Sequence, residues 1–113
     1  MNRSSYWLAA IAALFTIAAS SHLHAVAHKQ TFTGEIGDAM CGRKHMDGPP
    51  AECARTCVSH GSKFALVVGE KIYILDTSDQ AILAALDKQA GKNATVTGTL
   101  NGDTIEVSSI VAK

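Results

Sequence analysis

Three cysteines, Cys41, Cys53 and Cys57, are crowded into one short stretch of a 113-residue chain. Two histidines accompany them: His45 in Cys41-Gly42-Arg43-Lys44-His45, and His60 in Cys53-x3-Cys57-x2-His60. On a helix, positions i, i+4 and i+7 share a face, so Cys53, Cys57 and His60 can point the same way. Cys41 and His45 lie just upstream, in a stretch able to fold back over them. Three thiolates and one imidazole make a Cys3His set, suited to zinc or another thiophilic ion. His45 is the natural fourth ligand and His60 its alternate. Asp38, three residues before Cys41, is placed to accept an imidazole N–H behind the metal, to cap the loop, or to serve as an alternate ligand. One metal ion is the cofactor this pattern calls for.

The same cysteines admit other chemistry. In exported proteins cysteines usually pair, and an odd count leaves one free, metal-bound or joined to another molecule. A disulfide from Cys41 to Cys53 or Cys57 would staple the helix to the end of the first strand and contribute about 2–3 kcal/mol. A Cys53–Cys57 bond is disfavoured, because residues four apart on a helix seldom meet disulfide geometry. A thiol-redox protein is a third reading and requires a depressed thiolate pKa on an exposed cysteine. No Gly-x-Ser-x-Gly, phosphate-cradling glycine motif or Ser/His/Asp set is present, and Cys57 near His60 lacks an orienting group. No residue is therefore assigned a catalytic role.

The elements that must position these side chains follow a strand-rich pattern. Residues 31–36 alternate with Phe32, Gly34 and Ile36 on one face. Pro49-Pro50 before residues 51–60, with Gly61 after them, marks a short helix of about ten residues by the asymmetry of helix ends. Residues 63–68 read as a strand buried on both faces, turning at Gly69-Glu70 into residues 71–75. Thr77-Ser78-Asp79-Gln80 resembles a capping box with Thr77 as N-cap, opening a helix that ends at Gly91. Residues 94–100 and 104–108 alternate around Asn101-Gly102, a strong hairpin signal. With the first helix taken as an insertion, the order is three strands, a helix and two strands. That order predicts a mainly β domain with two helices: a small five-stranded OB-like barrel whose Cys-bearing helix follows the first strand. An open, twisted α+β sheet is the alternative. Gly34 and Gly98 inside strands suit the bends that close a barrel.

Residues 1–27 read as a cleavable signal peptide. Arg3 supplies a basic start, Tyr6 to Ala19 is almost unbroken apolar, and Ala25-Val26-Ala27 fits the small-x-small rule for cleavage. Ala18-Ala19-Ser20 is a second candidate site. The apolar run is shorter than the roughly 20 residues a spanning helix needs. No membrane anchor is expected after cleavage, and the location is secreted or periplasmic. The remaining 28–113 suffice for one domain of the size at which staples become important. Losing Arg3 leaves nine basic side chains against ten acidic. That near-neutral balance, with only Phe32, Phe64 and Tyr73 as aromatics, argues against nucleic-acid binding. A protein or other envelope partner is left unspecified by the residues.

The run Thr33-Gly34-Glu35-Ile36-Gly37-Asp38-Ala39-Met40-Cys41-Gly42-x-x-His45, then Cys53-x3-Cys57, then Gly61-x-Lys63-Phe64-Ala65-Leu66, resembles a group of small exported bacterial proteins of unknown function. Val96-Thr97-Gly98 and Ile105-Glu106-Val107-Ser108-Ser109-Ile110 are similar to their last two strands. The resemblance implies an OB-like domain in the bacterial envelope. It groups Asp38, Cys41, His45, Cys53 and Cys57 and implies no catalytic role for them.

Overall fold

The computed structural model describes residues 27–42 and 48–113. The signal peptide expected over 1–27 therefore lies almost wholly outside the described residues, as does His45. The described chain runs β1 (Lys29–Asp38), α1 (Pro50–Ser59), β2 (Phe64–Val68), β3 (Lys71–Asp76), α2 (Gln80–Gln89), β4 (Asn93–Asn101) and β5 (Thr104–Ala112). This is the mainly β fold with two helices expected from the pattern. The strands form a closed barrel in the order β1-β2-β3-β5-β4. Closure excludes the open α+β sheet. Among the described residues, no helix is long and apolar enough to cross a membrane.

Closure depends on one long, shared strand. The first part of β1 pairs with β4, from Lys29 opposite Thr99 to Glu35 opposite Asn93. Its last part pairs with β2, from Glu35 opposite Val67 to Asp38 opposite Phe64. At the far side, a short parallel pairing of β3 with β5 seals the ring, Leu75 opposite Ile105. The barrel interior and its helical plug bury Ile36, Leu66, Leu75, Leu86, Val96, Ile105 and Val107, with Ala54 of α1 joining the same core. Consecutive burial of Phe64, Ala65 and Leu66 matches a strand covered on both faces.

Two glycines sit where strands cross too closely for a side chain. A Cβ on Gly34 would press on the carbonyl oxygen of Val67, and one on Gly98 on that of Glu106. Gly98 adjoins the β4–β5 bulge, where Thr97 faces Ser109 but Gly98 faces Val107. Ser108 is the extra residue, and its hydroxyl donates to the Thr97 carbonyl at 3.2 Å. Gly98→Ala is expected to lower stability by about 1–3 kcal/mol, since backbone cannot yield as a flexible side chain would. A urea midpoint unchanged from wild type would show that the strands can part there.

Two local expectations differ in detail. The N-cap of α2 is Asp79, not Thr77: the Asp79 carboxylate accepts from Ala81 N at 2.8 Å and Ile82 N at 3.3 Å. Thr77 instead accepts from Asp79 N at 3.1 Å, so its hydroxyl builds the turn before the helix. The β4–β5 turn is Gly102-Asp103, because Asn101 still pairs with Thr104. Only Gly102 needs positive φ (61°), in the first turn position where a two-residue hairpin favours glycine.

Candidate metal centre

The three cysteines reach one place by two independent local structures. Cys53 and Cys57 lie four apart on α1, one turn above each other. Pro50 in its first turn has no N–H to leave unpaired, which suits the helix start. At the other end, Gly61 N donates to Val58 O at 3.0 Å and Ser62 N to Cys57 O at 3.0 Å. With Gly61 at φ 99°, these two bonds form a Schellman motif that stops the helix just beyond Cys57. Arg55 binds α1 to α2, its Nη2 donating at 2.9 Å to the Asp87 carbonyl at the end of α2.

Cys41 is held by the buried carboxylate of Asp38 at the end of β1. Asp38 Oδ2 accepts from Met40 N at 3.0 Å and Cys41 N at 2.9 Å. Gly42 N closes the same turn on the Asp38 carbonyl at 3.0 Å, and Ala39 N is anchored to Lys63 O at 2.8 Å. The Cys41 thiol is thereby aimed at α1. Its Sγ lies 3.5 Å from Cys57 Sγ and 3.9 Å from Cys53 Sγ. All three are free thiols. One candidate ligand atom from each of Asp38, Cys41, Cys53 and Cys57 falls within 4.8 Å of every other.

Burial and charge in this group favour a cation. Asp38 is fully buried. Its Oδ1 receives no hydrogen bond among the described residues. A buried carboxylate oxygen without a donor is costly, by the desolvation it suffers uncompensated. Two of the thiols, Cys41 and Cys57, are pushed towards their protonated form. The Cys57 thiol is pushed up to about 12, chiefly by its hydrogen bond to Cys41, then by burial and the neighbouring Asp38 charge. The hydrogen bond from Cys57 draws the Cys41 thiol down, but burial, Cys53 and the Asp38 charge outweigh it and leave it raised. A depressed thiolate, which the thiol-redox reading of the sequence required, is thus not found at either cysteine. A divalent ion would reverse the balance by stabilising every anionic form at once.

The sulfur spacing around Cys41 suits a tetrahedral thiolate centre. Zn–S bonds of about 2.3 Å at tetrahedral angles place sulfurs about 3.8 Å apart. The separations of Cys41 from Cys57 and Cys53, 3.5 and 3.9 Å, bracket that value.

The structure thus gathers four of the residues singled out from the sequence, Asp38, Cys41, Cys53 and Cys57, and does not bring His60 among them. His60 is the C-cap of α1, at φ −92° and ψ 12°, and is exposed. Its backbone N–H still bonds to the Thr56 carbonyl at 3.2 Å, but His60 is not among the residues whose ligand atoms gather here. His45 lies outside the described residues. Asp38 does cap the loop, and one of its carboxylate oxygens also lies within 4.8 Å of the three sulfurs. The spacing Asp-x-x-Cys signalled the cap; its place among the ligand atoms depends on α1 packing over the end of β1. No protein-family model, curated protein or solved structure matches this chain.

Proposed function

We propose that this chain is a small exported, non-catalytic module that binds one thiophilic metal ion, with zinc the best fit. Cys41, Cys53 and Cys57 supply thiolates and Asp38 Oδ1 the fourth donor. The observation that carries this reading is a buried Asp38 oxygen with no donor in a group of three free thiols and a carboxylate whose ligand atoms lie within 4.8 Å of one another. Three thiolates with a carboxylate form a donor set that borderline-soft Zn2+ accepts and that harder ions such as Mg2+ do not seek. Export rests on the apolar run of residues 6–19 and the small residues at 25–27, and a bacterial envelope location on the resemblance of the mature chain. Both support an oxidising setting, which bears on how the site is kept reduced.

Native mass spectrometry of the reduced protein tests the reading. One zinc per chain, lost on denaturation, is the expected result; a metal-free native mass after incubation with excess Zn2+ would overturn it. The fourth ligand is decided by two variants. Asp38→Asn keeps an oxygen for the Met40 and Cys41 N–H groups but removes the charge. It should fold normally and bind zinc more than about 100-fold less tightly, beyond the effect of losing a partner behind a ligand. His45→Ala should bind as wild type. The opposite pattern in a competitive chelator titration would give the fourth position to His45.

A further inference from the structure

Cys41 is the hinge of the thiol group. Its sulfur is in contact with both others, whereas Cys53 and Cys57 share a helix face. Residues four apart on a helix hold their Cβ atoms about 5–6 Å apart. A disulfide needs about 3.5–4.5 Å. Any internal disulfide must therefore include Cys41. Its two candidate partners differ in distance and access. Cys57 is nearer, at 3.5 Å against 3.9 Å, and is partly exposed, as is Cys41. Cys53 is buried at 8% exposure.

We infer that Cys41 and Cys57 form a redox couple that governs the metal site: a small-molecule disulfide oxidises them, forms Cys41–Cys57 and expels the ion, leaving Cys53 as a thiol. The inference rests on the metal-binding reading for what is released, and on the sulfur geometry alone for which bond forms. In the first step Cys41 gives up its proton (or, in the loaded protein, its bond to the ion), and its sulfur attacks one sulfur of glutathione disulfide, making a mixed disulfide and releasing one glutathione thiolate. Cys57 thiolate then attacks Cys41 Sγ, forming the internal bond and releasing the second glutathione. Two electrons pass from the protein to glutathione disulfide, and in the metal-free protein the two thiol protons pass to the departing thiolates. Zinc is redox-inert and leaves as Zn2+ once two of its thiolate donors are joined to each other. The cross-link ties the loop after β1 to the last turn of α1. An oxidising setting would thus convert a metal site into a staple between the same two elements.

The sequence makes the pairing easy to read. Cleavage by trypsin after Arg43, Arg55 and Lys63 puts each cysteine on its own peptide. The full chain, metal-free and zinc-loaded, is incubated with glutathione disulfide, digested without reductant and mapped, with zinc release followed by a chromogenic chelator. One Cys41–Cys57 bond per chain is expected, with one zinc released per bond. Cys53→Ser should form the same bond, and Cys41→Ser should give glutathione adducts without any internal disulfide. A dominant Cys41–Cys53 or Cys53–Cys57 bond, an internal bond in Cys41→Ser, or oxidation that leaves zinc bound would each overturn the couple. Failure to take up zinc with the Cys41–Cys57 bond still forming would overturn the metal reading and leave the couple standing.

Discussion

Zn2+ added to the reduced protein is expected to raise its melting temperature by about 15–30 °C, and Cys57→Ser to abolish that rise. The size of the rise follows from mass action. A ligand that binds only the folded state, held a thousand-fold above its Kd, contributes about 4 kcal/mol. For a domain of this size each kcal/mol shifts Tm by about 4–8 °C. The coupling should be strong here because the donors come from the end of β1, its following turn and α1, which the ion would join. Cys57 is the informative position because it is only partly buried and outside the hydrophobic core, so its loss need not unfold the protein. Cys41→Ser should behave alike, while Cys53→Ser also disturbs a buried position. The rise should depend on pH with a fixed sign. The Cys57 thiol, pushed up to about 12, keeps its proton in the metal-free protein at neutral pH, so zinc must displace it. Each proton displaced makes apparent affinity climb by about tenfold per pH unit, so the shift in Tm grows from pH 6 to pH 8. A rise in Tm that persists in Cys57→Ser, or one that shrinks as pH increases over that interval, would remove the thiolates from the account.

Leu66→Ala is expected to bring the metal-free domain close to unfolding. Leu66 is fully buried in β2, opposite Ile36 of β1 and Tyr73 of β3. Its truncation removes buried apolar area and leaves a cavity in a ring of strands that cannot collapse inward without breaking pairing. Losses of about 3–4 kcal/mol are typical of such sites. Small domains hold only about 5 kcal/mol or little more in total. Leu66→Met, close in volume, should cost less than about 1.5 kcal/mol. Urea unfolding of both variants separates the cavity from mere loss of shape. Zinc at the excess used above should restore most of what Leu66→Ala loses, because its contribution is of the same size. Rescue absent in Leu66→Ala but present in wild type would mean that the metal group and the barrel core do not fold as one unit.

How far the site was readable depends on the range of the interactions behind each part. The extents of α1 and its stop at Gly61 came from neighbouring residues, through proline at one end and a positive φ at the other. The shared face of Cys53 and Cys57 needed nothing beyond the helical period. At His60, the alternate ligand, the period alone does not decide: it is the exposed C-cap of α1 and is not in the group of ligand atoms. At Thr77 two residues compete for one capping role, and the choice of Asp79 turns on which oxygen reaches the free N–H groups of the first turn. Asn101-Gly102 announced a hairpin but not its register, which pairing along β4 and β5 settles one residue further on.

Sequence order and alternation alone supported a mainly β barrel with an inserted helix, and the crowding of three cysteines pointed to metal or disulfide chemistry. Those conclusions rest on periodicities and end signals that act within one or two turns or a single strand. The choice between a closed barrel and an open sheet did not lie within that range. It needed β1 to reach β4 some sixty positions away, with Gly34 and Gly98 clearing the crossings. Nor could spacing place Cys41 at 3.5 Å from Cys57, or leave Asp38 with one oxygen capping the turn and the other buried without a donor. Those relations arise only where α1 packs across the end of β1, because distances between side chains on separate elements are fixed by packing and not by separation along the chain.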